Sequence, residues 1–472
     1  SLIFVKALSM VYTAIIARAL GPAGLGTLNL AMLMVPWFVA LSSFSLQTVA
    51  TQLMPSLRAK NISVLPYQRG LFLLTFVLGI VAVLVHIFIS PFVATTFFHD
   101  NNLSKYIALA SVVVLLSVLY NTLLGVERGL KHYKLYAFFE FLKQFFLLCV
   151  GVFFVLYLGY SVKGALLALI LSPALLLGFY FFYHRELFFG KKVEYHGMLK
   201  TGFILGIVGF VLAFFMSLDE LIVGFLQSKT QVGLYAASIS VMNIGFYFVS
   251  GIKNTLFPFL TEKYVQVGDI HNKEFVRYFS KINIVTLIAI GYFLIGAMIF
   301  RSELILIIFG PEYLSAIKLL SIVLFALPFL SLYILLHTFA LSTNRIREVL
   351  TSSIIAVILS VGILYFFTKG YGVVGAAYGL VVSSCILFLS YFFFILRGIR
   401  FQLSSLFILI LVIFLFGLGG WYFSGNLMRN IMLFVAATLL YPCFLYIFKF
   451  LEKEDLQFIW SKIREYGHLV RR

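Results

Sequence analysis

Five charged residues lie inside long apolar stretches of this chain: Lys6, Arg18, Asp219, Glu220 and Lys253. A charge at the centre of a bilayer costs about 2.5–3.5 kcal/mol on insertion scales, so such groups face a cavity or a partner. The five divide into two chemistries. Lys6, Arg18 and Lys253 suit an anion such as phosphate, the lysines as point charges and the arginine as a bidentate fork. Asp219 and Glu220 suit a cation, as ion-coupling or gating acids. Each residue also has a plainer reading. Arg18 and Lys6 can snorkel to the interface, Asp219 can pair with Arg18 or another cation between helices, and Lys253 can close a salt bridge. Asp219 stands eight residues before Gln227, about 12 Å deep at 1.5 Å per residue. Lys253 stands nine residues before Glu262, at a similar depth from the other side. Glu220 projects about 100° away from Asp219 on a helix, so the two acids do not share a face.

The elements that must position these charges are membrane helices. The chain has 472 residues, 62% of them hydrophobic and 11% charged. Soluble domains carry about 25% charged residues, so this surface needs lipid as its solvent. A spanning helix takes about 20 apolar residues. Fourteen runs qualify: 1–20, 25–53, 70–98, 106–126, 137–158, 164–183, 201–227, 231–260, 282–300, 319–344, 349–368, 371–396, 401–423 and 430–448. The first, with Lys6 and Arg18, and the fifth, which opens on Glu140 and Lys143, are the least apolar. The net charge of +18 is topological rather than a nucleic-acid footprint. With fourteen alternating spans, 25 of the 35 Lys and Arg fall on one side, including Arg58, Lys131, Lys143, Lys191, Lys192 and Arg400, and only 7 on the other. By the positive-inside rule the richer side is cytoplasmic, so both termini are expected there.

Short matches recur at one spacing. Gly159-Tyr-Ser-Val-Lys-Gly-Ala165 matches Gly370-Tyr-Gly-Val-Val-Gly-Ala376 at five of seven positions, offset 211. Leu53-Met-Pro-Ser-Leu-Arg-Ala-Lys60 pairs with Leu256-Phe-Pro-Phe-Leu-Thr-Glu-Lys263, offset 203, and Gly26 with Gly233, offset 207. Such an offset spans six helices, an even number, so the two copies keep the same orientation: a parallel repeat. The expected architecture is all-α and polytopic. It has a six-helix bundle over 1–200, its repeat over 201–397, two further helices over 398–448 and a basic cytoplasmic tail over 449–472. Two facing bundles leave a cavity between them, the plan of an alternating-access transporter.

The turns carry a resemblance. Ala17-Arg-Ala-Leu-Gly-Pro-Ala-Gly-Leu-Gly26, Asp219-Glu-Leu-Ile-Val-Gly224, Val232-Gly-Leu-Tyr-Ala-Ala237, Phe309-Gly-Pro-Glu-Tyr313 and Tyr371-Gly-Val-Val-Gly-Ala-Ala377 occur in order along nearly the whole chain. Together they resemble the polysaccharide-transport branch of the multidrug/oligosaccharidyl-lipid/polysaccharide flippase superfamily. The resemblance implies a flippase for a lipid-linked oligosaccharide or related cell-envelope precursor. It also implies that Arg18 is that family's first-helix arginine, and that fourteen helices is one of its variants, twelve being another.

The remaining features set the alternatives. Cys149, Cys385 and Cys443 all lie in apolar runs and read as buried small hydrophobes, with no metal-site spacing. His86 and His337 read as satisfied packing residues rather than proton carriers. Asn61-Ile-Ser63 and Asn102-Leu-Ser104 fit the glycosylation pattern, only the second on the outer side. Pro36, Pro173, Pro258, Pro328 and Pro442 read as kinks. No cleavable signal is visible and Ser1 stands almost inside a helix, so the natural N-terminus is expected to reach further. No Gly-x-x-x-x-Gly-Lys loop is present, so ions, membrane potential or the substrate gradient must drive transport. H+ or Na+ is the natural coupling ion, no cofactor is expected, and one chain suffices because it already holds two bundles. A multidrug cation antiporter of the same superfamily is the first alternative; three in-membrane cations against two acids favour an anionic substrate instead. A membrane glycosyltransferase would need paired acids in sizeable outer loops, which Asp100, Glu303 and Glu312 do not supply.

Overall fold

The computed structural model describes residues 2–187, 194, 198–397, 403–447 and 450. The basic tail, Lys191, Lys192 and Arg400 lie outside the described residues. Within them the chain is helical and contains no strand. The α-helices are α1 (Leu2–Met32), α2 (Val35–Ser43), α3 (Leu46–Ala59), α4 (Leu65–Phe92), α5 (Leu103–Gly129), α6 (Tyr133–Val152), α7 (Ser161–Tyr183), α8 (Met198–Met216), α9 (Leu218–Leu226), α10 (Lys229–Val267), α11 (Lys273–Ile299), α12 (Arg301–Ile308), α13 (Ala316–Val323), α14 (Leu327–Ser342), α15 (Ile346–Ile395), α16 (Leu403–Phe423) and α17 (Leu427–Ile447).

Among the described residues eleven helices are long and apolar enough to cross a membrane, or twelve if the bent pair α8–α9 counts as one span. The expected fourteen differ because two of the eleven are very long, 54 residues over Val5–Arg58 and 50 over Ile346–Ile395. Each is broken by a glycine in left-handed backbone, Gly21 at φ 63° and Gly372 at φ 62°, which other residues rarely adopt. Pro22 then opens the second arm of α1, where its missing N–H is no loss. Phe44 and Ser45, both at positive φ, separate α2 from α3.

The outside of the bundle confirms its solvent. Phe88, deep within α4, is 85% exposed, and a ring so placed belongs in lipid. Cys149 and Cys443 are also exposed and Cys385 is partly so, which corrects the expectation of buried thiols. On a membrane helix the outer face is as apolar as the core, so an apolar run does not tell the two apart.

Helices α4, α5, α6 and α7 pack on one another and α1 lies across them; α10, α11, α13, α14 and α15 form a similar group. The groups meet along α1 and α10, and again where α2 and α3 lean on α8. Helix α16 lies against α11, and α17 also touches it.

Candidate functional site

The seam between α1 and α10 is tightest at one end. A Cβ on Gly26 would fall 1.9 Å from the Lys229 carbonyl oxygen, and one on Gly233 would fall 1.8 Å from that of Pro22. Only two glycines let the backbones approach so closely. Other contacts ring this point, which is called the Gly21 side here. The Arg18 guanidinium donates from Nε to the Ile308 carbonyl at 3.2 Å and from Nη2 to Leu306 at 3.3 Å, and reaches Ile307 as well. These are last-turn carbonyls of α12, two of which, Ile307 and Ile308, lack helical partners, and a helix C-terminus favours a cation. The Tyr313 hydroxyl donates to the Ala17 carbonyl at 2.9 Å, and the Lys229 ammonium pairs with the Asp100 carboxylate. Phe98 fills the space beside Gly224. Halfway down, Trp37 Nε1 donates to Ser217 Oγ at 2.7 Å, at the 45° bend between α8 and α9.

Arg18 does not join the acid it was matched to. Arg18 serves the seam and makes no pair with Asp219. Asp219 is 4% exposed and accepts a 2.7 Å hydrogen bond from the Tyr235 hydroxyl, joining α9 to α10. Glu220, its neighbour, is half-buried. Lys253 closes no ion pair among the described residues; it is in electrostatic reach of His337, which lies 3.4 Å from the Tyr391 hydroxyl. His86 departs from the expected satisfied packing residue: it is fully buried, stacked on Phe38 at 4.7 Å, and neither ring nitrogen has a partner.

Lys6 stands over the Tyr247 ring, 4.0 Å from its centre, so a cation from α1 rests on an aromatic face of α10. Beside it lies a group that the sequence reading overlooked. Lys143 was counted with the cytoplasmic charges at the mouth of its run, yet it sits inside α6 with its ammonium 4.8 Å from the centre of the Tyr120 ring. Glu140 is in electrostatic reach of both Lys6 and Lys143. A signal was available: Glu140 and Lys143 are three apart, on one helix face, within a run otherwise apolar.

The pair Asp219–Tyr235 makes a direct expectation. Tyr235→Phe removes the donor to a buried carboxylate and lowers stability by about 1–3 kcal/mol. Thermal unfolding in detergent should show a lower midpoint for Tyr235→Phe, partly restored by adding Asp219→Asn. An unchanged midpoint would remove this bond from the account.

Between α10, α11 and α17 lies a cavity of about 580 Å³. Phe248, Tyr292, Phe293, Phe300 and Phe434 line it, with almost no polar surface. It suits an alkyl or prenyl chain rather than a polar group.

A family described as "Polysaccharide biosynthesis protein" matches residues 15–318. The chain belongs to this family. The capsular polysaccharide biosynthesis protein CapF of Staphylococcus aureus is 24% identical over 260 residues. That match takes in 53% of this chain and 65% of CapF, so the chain spans just under two thirds of that relative. Solved structures share the fold of this polysaccharide biosynthesis chain. The lipid II flippase MurJ in an inward closed conformation superposes with a TM-score of 0.70 at 14% identity, covering 94% of this chain and 97% of MurJ. An inward-facing multidrug resistance MATE transporter of the MOP superfamily gives 0.66 at 14% identity, covering 87% and 95%.

Proposed function

We propose that this chain is a flippase that carries a lipid-linked oligosaccharide, or a related cell-envelope polysaccharide precursor, across the plasma membrane by alternating access. The observation that carries the reading is the tight α1–α10 seam at the Gly21 side; the groups also touch where Phe44 meets Gly202. The two helix groups are clamped at the Gly21 side by Gly26, Gly233, Arg18, Tyr313 and the Lys229–Asp100 pair, while Lys6, Lys143 and Lys253 lie away from that clamp. The bilayer core is about 30 Å thick, so each glycine-broken helix of 50 or more residues, about 75 Å long, crosses twice. Fourteen spans and two six-helix bundles over 1–200 and 201–397 follow, with 398–448 as an added pair. The Lys- and Arg-rich side, which holds Arg58 and Arg345, is then the cytoplasm, and the Gly21 side faces outward.

In this reading Lys253, Lys6 and, on the way out, Arg18 handle the phosphate of the substrate. The apolar cavity at Phe248 and Phe434 takes part of its lipid tail. Asp219 and Glu220 couple H+ or Na+ or gate the cavity, and one chain is sufficient. The pattern supports transport rather than catalysis. The buried Asp219 and half-buried Glu220 favour one second reading, export of cationic drugs.

Reconstitution separates the two. Purified protein in liposomes should move a fluorescent polyprenyl-diphosphate oligosaccharide between leaflets and leave a fluorescent cationic drug in place. Movement of the drug alone would overturn the flippase reading and turn attention to Asp219 and Glu220.

A further inference from the structure

On α6, Tyr136, Glu140, Lys143 and Gln144 fall on one stripe, at spacings of four, seven and eight residues. Tyr120 of α5 faces this stripe, with the Lys143 ammonium over its ring. Lys6 of α1 borders it from the side of α10. Two polar atoms here are buried without a hydrogen-bond partner: the Tyr120 hydroxyl, on a side chain only 1% exposed, and Gln144 Oε1. Buried polar atoms are rarely left unmatched, and each one asks for a water, an ion or a ligand. Glu140 forms no ion pair with either lysine within 4.0 Å among the described residues, so its oxygens too are open to an incoming donor.

The composition of the stripe selects its ligand. A phosphate site is built of donors alone, and a carboxylate in its middle works against it. Here acceptors (Glu140, Gln144 Oε1) alternate with donors (Lys143, Tyr120), the mixed pattern that matches hydroxyl groups, each of which both gives and takes a hydrogen bond. We propose that Tyr120, Glu140, Lys143 and Gln144 form a sugar-recognition subsite, which reads the hydroxyl-bearing sugar attached to a phosphate held at Lys6. Sugar hydroxyls donate to Glu140 and Gln144 and accept from Lys143 and Tyr120. The subsite rests on the flippase reading and gives that reading its substrate selectivity. A site arranged to hydrogen-bond a substrate hydroxyl discriminates strongly against the analogue that lacks it, because its own polar groups then stay unmatched.

The test compares two probes in proteoliposomes: bare polyprenyl diphosphate, and polyprenyl diphosphate bearing an N-acetylhexosamine disaccharide. The unaltered protein is expected to move the glycosylated probe faster. Glu140→Gln and Gln144→Leu should each slow the glycosylated probe about 10-fold, the size expected for one hydrogen bond to a charged or buried group, and change the bare probe far less. Tyr120→Phe guards against a merely structural effect. Its hydroxyl has no partner to lose, so the probe-free unfolding midpoint should hold or rise while selectivity falls. Equal losses on both probes, or none on either, overturn the subsite and leave the flippase standing. Failure of the unaltered protein to move either probe overturns the flippase reading and the subsite with it.

Discussion

Gly233→Ala is expected to cut glycolipid movement at least about 10-fold while leaving the protein inserted and folded. The added Cβ would lie 1.8 Å from the Pro22 carbonyl oxygen, a backbone atom that cannot swing aside. Overpacking a tight contact costs about 1–3 kcal/mol, and about 1.4 kcal/mol is tenfold in a population. The whole penalty falls on the state in which the seam is shut. The measurement is labelling of Leu25→Cys, next to Gly26 and 5% exposed in the shut seam, by a maleimide that does not cross membranes. The three lipid-facing or partly exposed native cysteines are first replaced by serine. Labelling should quicken about 10-fold in Gly233→Ala. Gly178→Ala is the control, since nothing lies within 4 Å of its added carbon. Unchanged labelling and transport in Gly233→Ala would show that the seam is not a working gate.

Lys253→Ala is expected to reduce movement of the glycolipid by about 10–100-fold, the range for losing a hydrogen bond to a charged group. Its unfolding midpoint should hold. The reason for separating the two readouts is geometric: Lys253 closes no ion pair among the described residues, so its removal strands no buried carboxylate. Asp219 differs in this respect, because Tyr235 depends on it. Lys253→Arg keeps the charge and should keep most of the transport. Full activity in Lys253→Ala would exclude the residue from the substrate path.

Much of this was legible in the sequence because membrane folds leave long, one-dimensional signals. Apolar runs marked the helices, and the gaps at 21–24 and 369–370 marked reversals that the structure makes at Gly21 and Gly372. Gly26 and Gly233 were visible as a repeated pair, but their contact was not, since a spacing of 207 residues says nothing of distance in space. Arg18 was read for its charge, and a charge was matched to a charge at Asp219. The structure gives it neutral carbonyls of α12 instead, a partner that every helix end offers and that no side-chain pattern announces. Lys143 was counted with the cytoplasmic charges although its run was opened at 137; its helix begins four residues earlier still, at Tyr133, which sets it well inside. The Tyr120–Glu140–Lys143–Gln144 group needed two helices brought side by side, and the lack of a partner at Tyr120 is a property of packing alone.

The clamp at the Gly21 side bears on direction. A preference for one resting shape weights which leaflet an empty cavity samples, yet the same preference enters the forward and the backward cycle and cancels from the final distribution. An uncoupled carrier of this build is therefore a conductance, not a pump. Net flux then follows supply and demand: synthesis of the glycolipid in one leaflet and its removal from the other. Resting open toward the supply shortens the wait for cargo without altering where the cargo finally accumulates.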